Sequence, residues 1–532
     1  MNAAPIRWLG RHRISLVPLL VITLVGALLR FYAIGAKTLW LDEAFSLWLA
    51  HHTLIDLWSW LIRIDQHPPL YYSLLHGWLA LVGDWQGPVR ALSALCSVLT
   101  LPIFFAFCRH LSDRPTALWA TGLLAISPFH VHYAQETRMY ALLTLLVAMA
   151  LFCVVTILFD ERARQQRWPW VGLALSEAAV MLTHNTATIF FPLALNLAIG
   201  GAVLWQYTRG GVSSLPALND EHFERRWVRT QLGAVIGWLP WSVPFLIQAA
   251  MVDREFWISA PSWGVVLETL HNFNLAFEPA WSPLATATDG SLWLLALLGL
   301  WSLRRTPARA MLLLLLFLTP ILGELLVSLR RPIFSERTLI WATLAYYLLV
   351  AQGLWWFATR VAAWLKRNQS LSAASASASA WPTVIVPSVL IGALLAANAI
   401  ALSNYYFYFT KEDWAKAAAY VAHHAQPGDL LLFNATWVQL PFDYYFQRYG
   451  VAADLHGLPV DLFDRDVLEP KMTVADLPYM RTLIASRPRI WLIYSHDWYT
   501  DPQGIIPREL QRQRRLVDRQ RLEGLQLFYF EQ

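Results

Sequence analysis

Residues 70–83 read LYYSLLHGWLALVG, and whether they cross a membrane or lie along its surface decides the topology of everything after them. The run is apolar, yet it falls well short of the ~20 residues a helix needs to cross the hydrocarbon. Pro68 and Pro69 stand immediately before it, where the first turn of a helix accommodates proline. Read as an interfacial helix, it leaves the loops carrying Arg109 and Arg114, then Arg162, Arg164 and Arg167, then Arg225, Arg226 and Arg229 all on one side. Arg304 and Arg305, Lys366 and Arg367, and the N-terminal Arg7, Arg11 and Arg13 fall on that side as well. This is the positive-inside pattern along the whole chain. Read as a span, the same run flips every later loop and scatters the basic residues.

Outward from this run, apolar stretches near 15–34, 91–108, 116–134, 139–159, 169–183, 186–206, 231–250, 288–303, 310–328, 338–358 and 382–403 predict about eleven spans. Composition agrees. Of 532 residues 57% are hydrophobic and only 14% charged, with a mean hydropathy of +0.41. A water-facing domain carries roughly 25% charged residues. The 28 tryptophans suit the two membrane interfaces. The net charge of +5 sits largely in short loops, where it sets orientation, so nucleic acid is not expected as a partner. Cys96, Cys108 and Cys153 all lie in apolar runs and form neither a disulfide framework nor a zinc spacing. The first apolar stretch lacks a small-residue cleavage site and reads as a retained helix.

The expected fold is therefore an all-α polytopic membrane domain over residues 1–403, N-terminus in and C-terminus out, with a long outward loop at 35–90. SLSAASASASA at 370–380 reads as a flexible linker between the last two helices. Residues 404–532 change character and read as a small extracytoplasmic α/β domain. KEDWAKAAAYVAHHA (411–425) predicts a helix, LLLFNAT (430–436) a buried strand and WVQLPFDYYFQRYG (437–450) a helix. RIWLIYS (489–495) predicts a strand, PRELQRQRRLVDRQ (507–520) a charged helix and LQLFYF (525–530) a last strand. The tail has no glycine-rich phosphate loop.

Charged groups at membrane depth are costly and call for a reason. Asp42 and Glu43 follow the first span in KTLWLDEAFSLWLA, an amphipathic interfacial helix by pattern, where an acidic pair could equally be a helix start. QHPPLYY (66–72) brings His67 and Tyr71 to the same loop, either as a structural turn or as a polar site. Arg90 stands before the second span, an interfacial anchor on the plainer reading. SPFHVHYAQETRMYALLTLL packs His130, His132, Gln135, Glu136 and Arg138 into a short outward loop. The two histidines are two apart and diverge on a helix, so a metal is not indicated there. His184 and Asn185 mark another outer junction, and SLRRPIFSERTLIW adds Arg330, Arg331, Glu336 and Arg337. All these clusters fall on the outer face. Arginine forks suit a phosphate, and a carboxylate nearby suits a general base acting on a hydroxyl.

At these residues the chain resembles the GT-C glycosyltransferases, most closely the bacterial family 39 type related to protein O-mannosyltransferases and to the lipid A aminoarabinose transferase. The resemblance rests on LDEAFS, HPPLYY, VRALSAL, SPFHVHYAQETRMYAL and PIFSERTLIW in order, across roughly residues 15–350. It implies an inverting enzyme that moves a hexose, mannose by the family's habit, from a polyprenyl-phosphate carrier to a hydroxyl on a protein, lipid or glycan. Asp42 matches the base, with Glu43 beside it. Arg90, Arg138 and Arg337 match the arginines that hold the donor phosphate. His67, Tyr71, Glu136 and His184 fall on the acceptor and substrate side. Two departures stand out: Arg337 is followed by Thr338 where the family often has tyrosine, and His67-Pro68-Pro69 after Gln66 replaces the aminoarabinose enzymes' Lys-Pro-Pro after an acid. No cofactor is expected. A divalent metal, though compatible with such chemistry, is not indicated, because the first loop has no Asp-x-Asp. The expected setting is a bacterial inner membrane, multi-pass and among its lipids, with the active site facing the periplasm, since no retention signal ends the chain. A transporter or flippase of lipid-linked sugars would use the same arginines without a base. It would also be expected to show internal repeats, which this sequence lacks. Another outer-face transferase, such as an O-antigen ligase or acyltransferase, fits the acidic pair after the first span less well.

Overall fold

The computed structural model describes residues 16–209, 215–252, 260–369, 381–462 and 470–532. Arg7, Arg11, Arg13 and the serine–alanine stretch 370–380 lie outside the described residues. By contacts the chain divides into two compact units: Met1–Tyr32, Ser93–Val243 and Ile258–Tyr408 form the first, and Ala33–Leu92, Pro244–Trp257 and Phe409–Gln532 the second.

The first unit is helical. Among the described residues seven helices are long and apolar enough to cross a membrane: Gln86–Leu111, Tyr140–Phe159, Asn185–Trp205, Phe223–Ala250, Pro283–Arg305, Pro307–Ser328 and Glu336–Trp364. Val17–Phe31 (α1) is apolar but shorter. Many large apolar side chains point outward from these helices, Leu28, Ile236, Leu297 and Leu326 among them. The chain is thus a multi-pass membrane protein. The stretch expected as one span over 116–134 is broken in two. Arg114–Ile126 stops at Ser127, whose hydroxyl accepts the His130 N–H and opens the short helix Pro128–Ala134. Pro128 disfavours helical geometry at the residue before it.

That break has a use. Arg30, fully buried, sends its guanidinium to the freed carbonyls of Leu124 (3.1 Å) and Ala125 (2.8 Å), to the Gly26 carbonyl and to the Ser97 hydroxyl. A cation on the last carbonyls of a helix is favourable, and in the membrane it satisfies groups that water cannot reach.

The helices Pro283–Ser302 and Thr343–Gln369 approach through facing glycines. A Cβ on Gly353 would lie 1.8 Å from the Leu295 carbonyl oxygen, and one on Gly299 would lie 1.9 Å from that of Leu349. Small residues let backbones meet this closely. Gly353→Ala is expected to lower the melting temperature in detergent by several degrees, since overpacking costs about 1–3 kcal/mol or more. Gly290→Ala, which meets nothing within 4 Å, should leave it unchanged or slightly higher.

The second unit is built on a five-stranded sheet of order β2-β1-β3-β5-β4. Its strands are β1 Leu430–Asn434, β2 Asp454–Gly457, β3 Arg489–Tyr494, β4 Arg515–Leu522 and β5 Leu525–Glu531. β1 pairs in parallel with β2 and β3, and β5 pairs antiparallel with β3 and β4. Side chains alternate across the sheet. Leu431, Phe433, Trp491, Ile493 and Leu527 pack with Trp414, Val421, Phe442 and Phe446 of the helices Trp414–His424 and Gln439–Phe446. Leu430, Leu432, Ile490, Leu492, Phe528 and Phe530 pack with Met480, Ile484, Ile506 and Leu510 on the other face. Burial on both faces explains the unbroken apolar runs.

One expectation is corrected here. The charged helix predicted through Gln520 ends at Gln513, and RLVDRQRL is β4. Gly524, with φ +74°, turns β4 into β5. The pairing of Arg515 with Glu531 and Leu516 with Phe530 overrides helix propensity. Charged side chains suit this edge strand.

Candidate active site

In the second unit, helices α2 (Leu41–Ala50), α3 (Leu54–Ile64) and α4 (Leu70–Val82) follow one another. α4 stays short because Gly83, with φ +76°, ends it. Asp42 and Glu43 are consecutive in the first turn of α2, so their side chains leave the helix about 100° apart. Glu43 turns inward and is fully buried; Asp42 is half-buried.

Glu43 is held by two cations. Arg90 grips it in a fork, Nε to Oε1 and Nη2 to Oε2, both 2.7 Å, and Lys411 Nζ reaches Oε2 at 2.9 Å. Arg90 also donates to the carbonyls of Ile34, Lys37 and Thr38, each at 2.9 Å. All five of its N–H groups thus have protein acceptors. Lys37, nearby, has its ammonium pKa lowered by burial and then by the charges of Lys411 and Arg90. Asp65 Oδ1 accepts the Gln66 N–H (2.7 Å) and pairs with His67 Nδ1 (2.9 Å). A carboxylate at Nδ1 places the proton there and leaves Nε2 of the neutral ring as an acceptor. The Gln248 side chain fixes the turn by donating to the carbonyls of Leu61 and His67. Tyr71 is fully buried in α4, its ring 5.9 Å from that of Tyr72.

In the first unit the polar residues of 127–138 go to separate partners. His130 Nε2 meets the Thr343 hydroxyl at 2.7 Å, while His132 Nε2 faces Glu136 Oε1 at 3.4 Å. Gln135 donates to the carbonyls of Arg30 and Tyr32 and accepts from the Tyr405 hydroxyl. Arg138 is buried, and its carbonyl accepts from Ser93.

Arg337 lies 5.9 Å over the Tyr140 ring, whose centroid is 6.0 Å from His184 and 5.1 Å from Tyr133. Tyr133 donates to Glu336 Oε1 at 3.2 Å. His184 Nδ1 accepts the Thr186 N–H at 3.3 Å, which puts the ring proton on Nε2. Thr338, next to Arg337, donates to the buried Glu324 at 2.7 Å. Arg337, Tyr140 and His184 are therefore one cluster, with Glu336 at its edge. Among the described residues no three His, Cys, Asp or Glu side chains group as a metal site would.

Lys411, Asp65, Arg30 and Glu324 escaped the sequence reading. Lys411 lies 368 positions from Glu43, and no spacing rule joins them. Asp65 was within reach, standing two residues before His67 in IDQHPP, and a histidine so placed is the only signal it gives.

The family model described as Dolichyl-phosphate-mannose-protein mannosyltransferase matches residues 66–212. No curated protein matches the sequence. Among solved structures, apo ArnT from Cupriavidus metallidurans superposes with a TM-score of 0.59 at 13% identity, covering 97% of this chain and 98% of that one. The same protein bound to undecaprenyl phosphate gives 0.53 at 13% identity over the same shares. The Archaeoglobus fulgidus oligosaccharyltransferase in its apo form gives 0.60 at 11% identity, covering 92% of this chain and 70% of that one. At such identities the likeness to the solved structures is one of fold. The chain thus shares the fold of these solved transferases, and its residues 66–212 are similar to the mannosyltransferase family model.

Proposed function

We propose that the protein transfers a hexose, mannose being the first candidate, from a polyprenyl-phosphate carrier to a hydroxyl acceptor on the outer face of a bacterial inner membrane, inverting the anomeric centre. The observation that carries this reading is the division of labour at the start of α2. Glu43 is buried between Arg90 and Lys411, while its neighbour Asp42 stays half-open. A partly open carboxylate beside one that is locked away is the arrangement a general base needs. The undecaprenyl phosphate bound by ArnT and the dolichol-phosphate bound by the Archaeoglobus fulgidus enzyme AglB support the choice of carrier.

In this mechanism the acceptor hydroxyl attacks the anomeric carbon in line with the departing phosphate. Asp42 takes the hydroxyl proton as the new C–O bond forms, and later releases it to solvent. The bond from the anomeric carbon to the carrier oxygen breaks, and its electron pair leaves with the lipid phosphate. Arg138 and Arg337 offset the charge that grows there, an interaction strongest in the transition state. His67, oriented by Asp65, offers Nε2 to an acceptor hydroxyl; Glu136 and His184 complete the substrate side. Arg90 and Tyr71, both enclosed, act by holding their surroundings rather than by touching substrate.

A test is the configuration of the product. With a β-linked polyprenyl-phosphate hexose and a hydroxyl acceptor, proton NMR should show an α-linked glycoside, formed at the same rate with a chelator present. A β-linked product would overturn the single displacement. Tight carrier binding with no product across acceptors would favour a transporter instead.

A further inference from the structure

We propose that Lys411 and Tyr445 are positioning residues for Asp42, so that the α/β tail is part of the catalytic apparatus rather than an appendage. The inference rests on the reading of Asp42 as the base. Its first support is charge. Arg90 alone, with a bidentate fork, already neutralises Glu43. Lys411 adds a second cation to the same carboxylate, with its side chain only 4% exposed and its ammonium 5.7 Å from the Trp40 ring. Arg90 and Lys411 thus bring two cations to one buried carboxylate, and the residue next to Glu43 in the chain is Asp42. A cation close to a carboxylate favours the form that accepts a proton.

The second support is mechanical. The residues leading into α2 are fastened to the tail at successive positions. Lys37 Nζ donates to the Phe409 carbonyl at 2.9 Å, and the Thr38 hydroxyl donates to the Glu412 carbonyl at 2.6 Å. The Leu39 N–H donates to the Tyr445 hydroxyl at 2.8 Å, and that hydroxyl donates in turn to Gln86 at 2.7 Å. Within α2, Phe45 packs edge-on against Trp437 at 5.6 Å. Tyr445 thus ties the chain entering α2 to the chain entering the helix of Arg90. A base displaced by about 1 Å loses on the order of 100-fold in rate.

The charged and titratable groups around Glu43, the chain neighbour of Asp42, are Arg90, Lys411, Lys37 and Tyr445, and of the two cations that hold the Glu43 carboxylate Lys411 can be removed without breaking the fork. The experiment compares Lys411→Met, Lys411→Arg and Tyr445→Phe with wild type and with Asp42→Asn, all as full-length protein in detergent. Lys416→Met, at an exposed ion pair with Asp413, is the surface control. For Lys411→Met the expectation is kcat lower by about 100-fold, donor KM within about twofold and an unchanged melting temperature. Removing the cation raises the pKa of Asp42, so the acid limb of kcat/KM moves to higher pH. Lys411→Arg should restore most of the rate. Tyr445→Phe should lower kcat about tenfold without moving the limb. If Asp42→Asn is inactive while Lys411→Met and Tyr445→Phe keep the wild-type rate and pH profile, the inference is wrong and the base reading survives. If Asp42→Asn turns over normally, it is the base reading that fails.

Discussion

Asp42→Asn is expected to lower kcat by about 10³-fold while leaving donor binding and the melting temperature unchanged. Asparagine keeps the size of the side chain and its place in the first turn of α2 but cannot accept the proton. Asp42 is half-buried and takes no part in the Arg90 fork, whose five N–H groups go to Glu43 and to backbone carbonyls. Glu43→Gln should behave in the opposite way. It leaves Arg90 and Lys411 buried without their carboxylate, so the melting temperature falls first and activity falls with the folded fraction. Adjacent acids that respond so differently would separate chemistry from architecture. Equal kinetic losses at both positions, with no change in stability, would assign the base to the pair rather than to Asp42.

Arg90→Met should give the largest loss of stability among the arginine variants, about 3–5 kcal/mol. It strands Glu43 inside the protein and removes the donors that hold the carbonyls of Ile34, Lys37 and Thr38. Thermal unfolding of the purified protein measures this directly. The family resemblance puts Arg90 on the donor phosphate, and that role predicts the contrary outcome: a raised donor KM with the melting temperature intact. Arg337→Ala is the useful comparison. Arg337 rests on the Tyr140 ring, where its removal loses a cation–π contact of roughly 0.5–2 kcal/mol, so its main effect should be on kcat/KM for the donor.

What the sequence shows of this molecule follows from how local each signal is. The short helix over 70–83 is legible because length is a local property, and a 13-residue helix forms at Leu70–Val82. β1, β3 and β5 announce themselves as short, mostly apolar runs. β4 does not, because RRLVDRQRL has the composition of an exposed helix and becomes a strand only through its partner β5. The break at Ser127 hides inside a continuous apolar stretch, and only Pro128 hints at it. At the site, Asp42, Glu43 and His67 can be picked out by residue type and place, but their division of roles cannot. Whether Glu43 or Asp42 turns inward depends on Arg90 and Lys411, which are distant in sequence. Arg90 reads as an anchor or a phosphate ligand until its five acceptors are seen.

The most direct measurement is transfer by the purified protein from a radiolabelled polyprenyl-phosphate hexose to a panel of protein, lipid and glycan hydroxyl acceptors, with chelator present. The account predicts acceptor-dependent turnover that a nucleotide-linked form of the same sugar does not support. Carrier that binds but releases no sugar to any acceptor, or turnover from the nucleotide sugar alone, would contradict it.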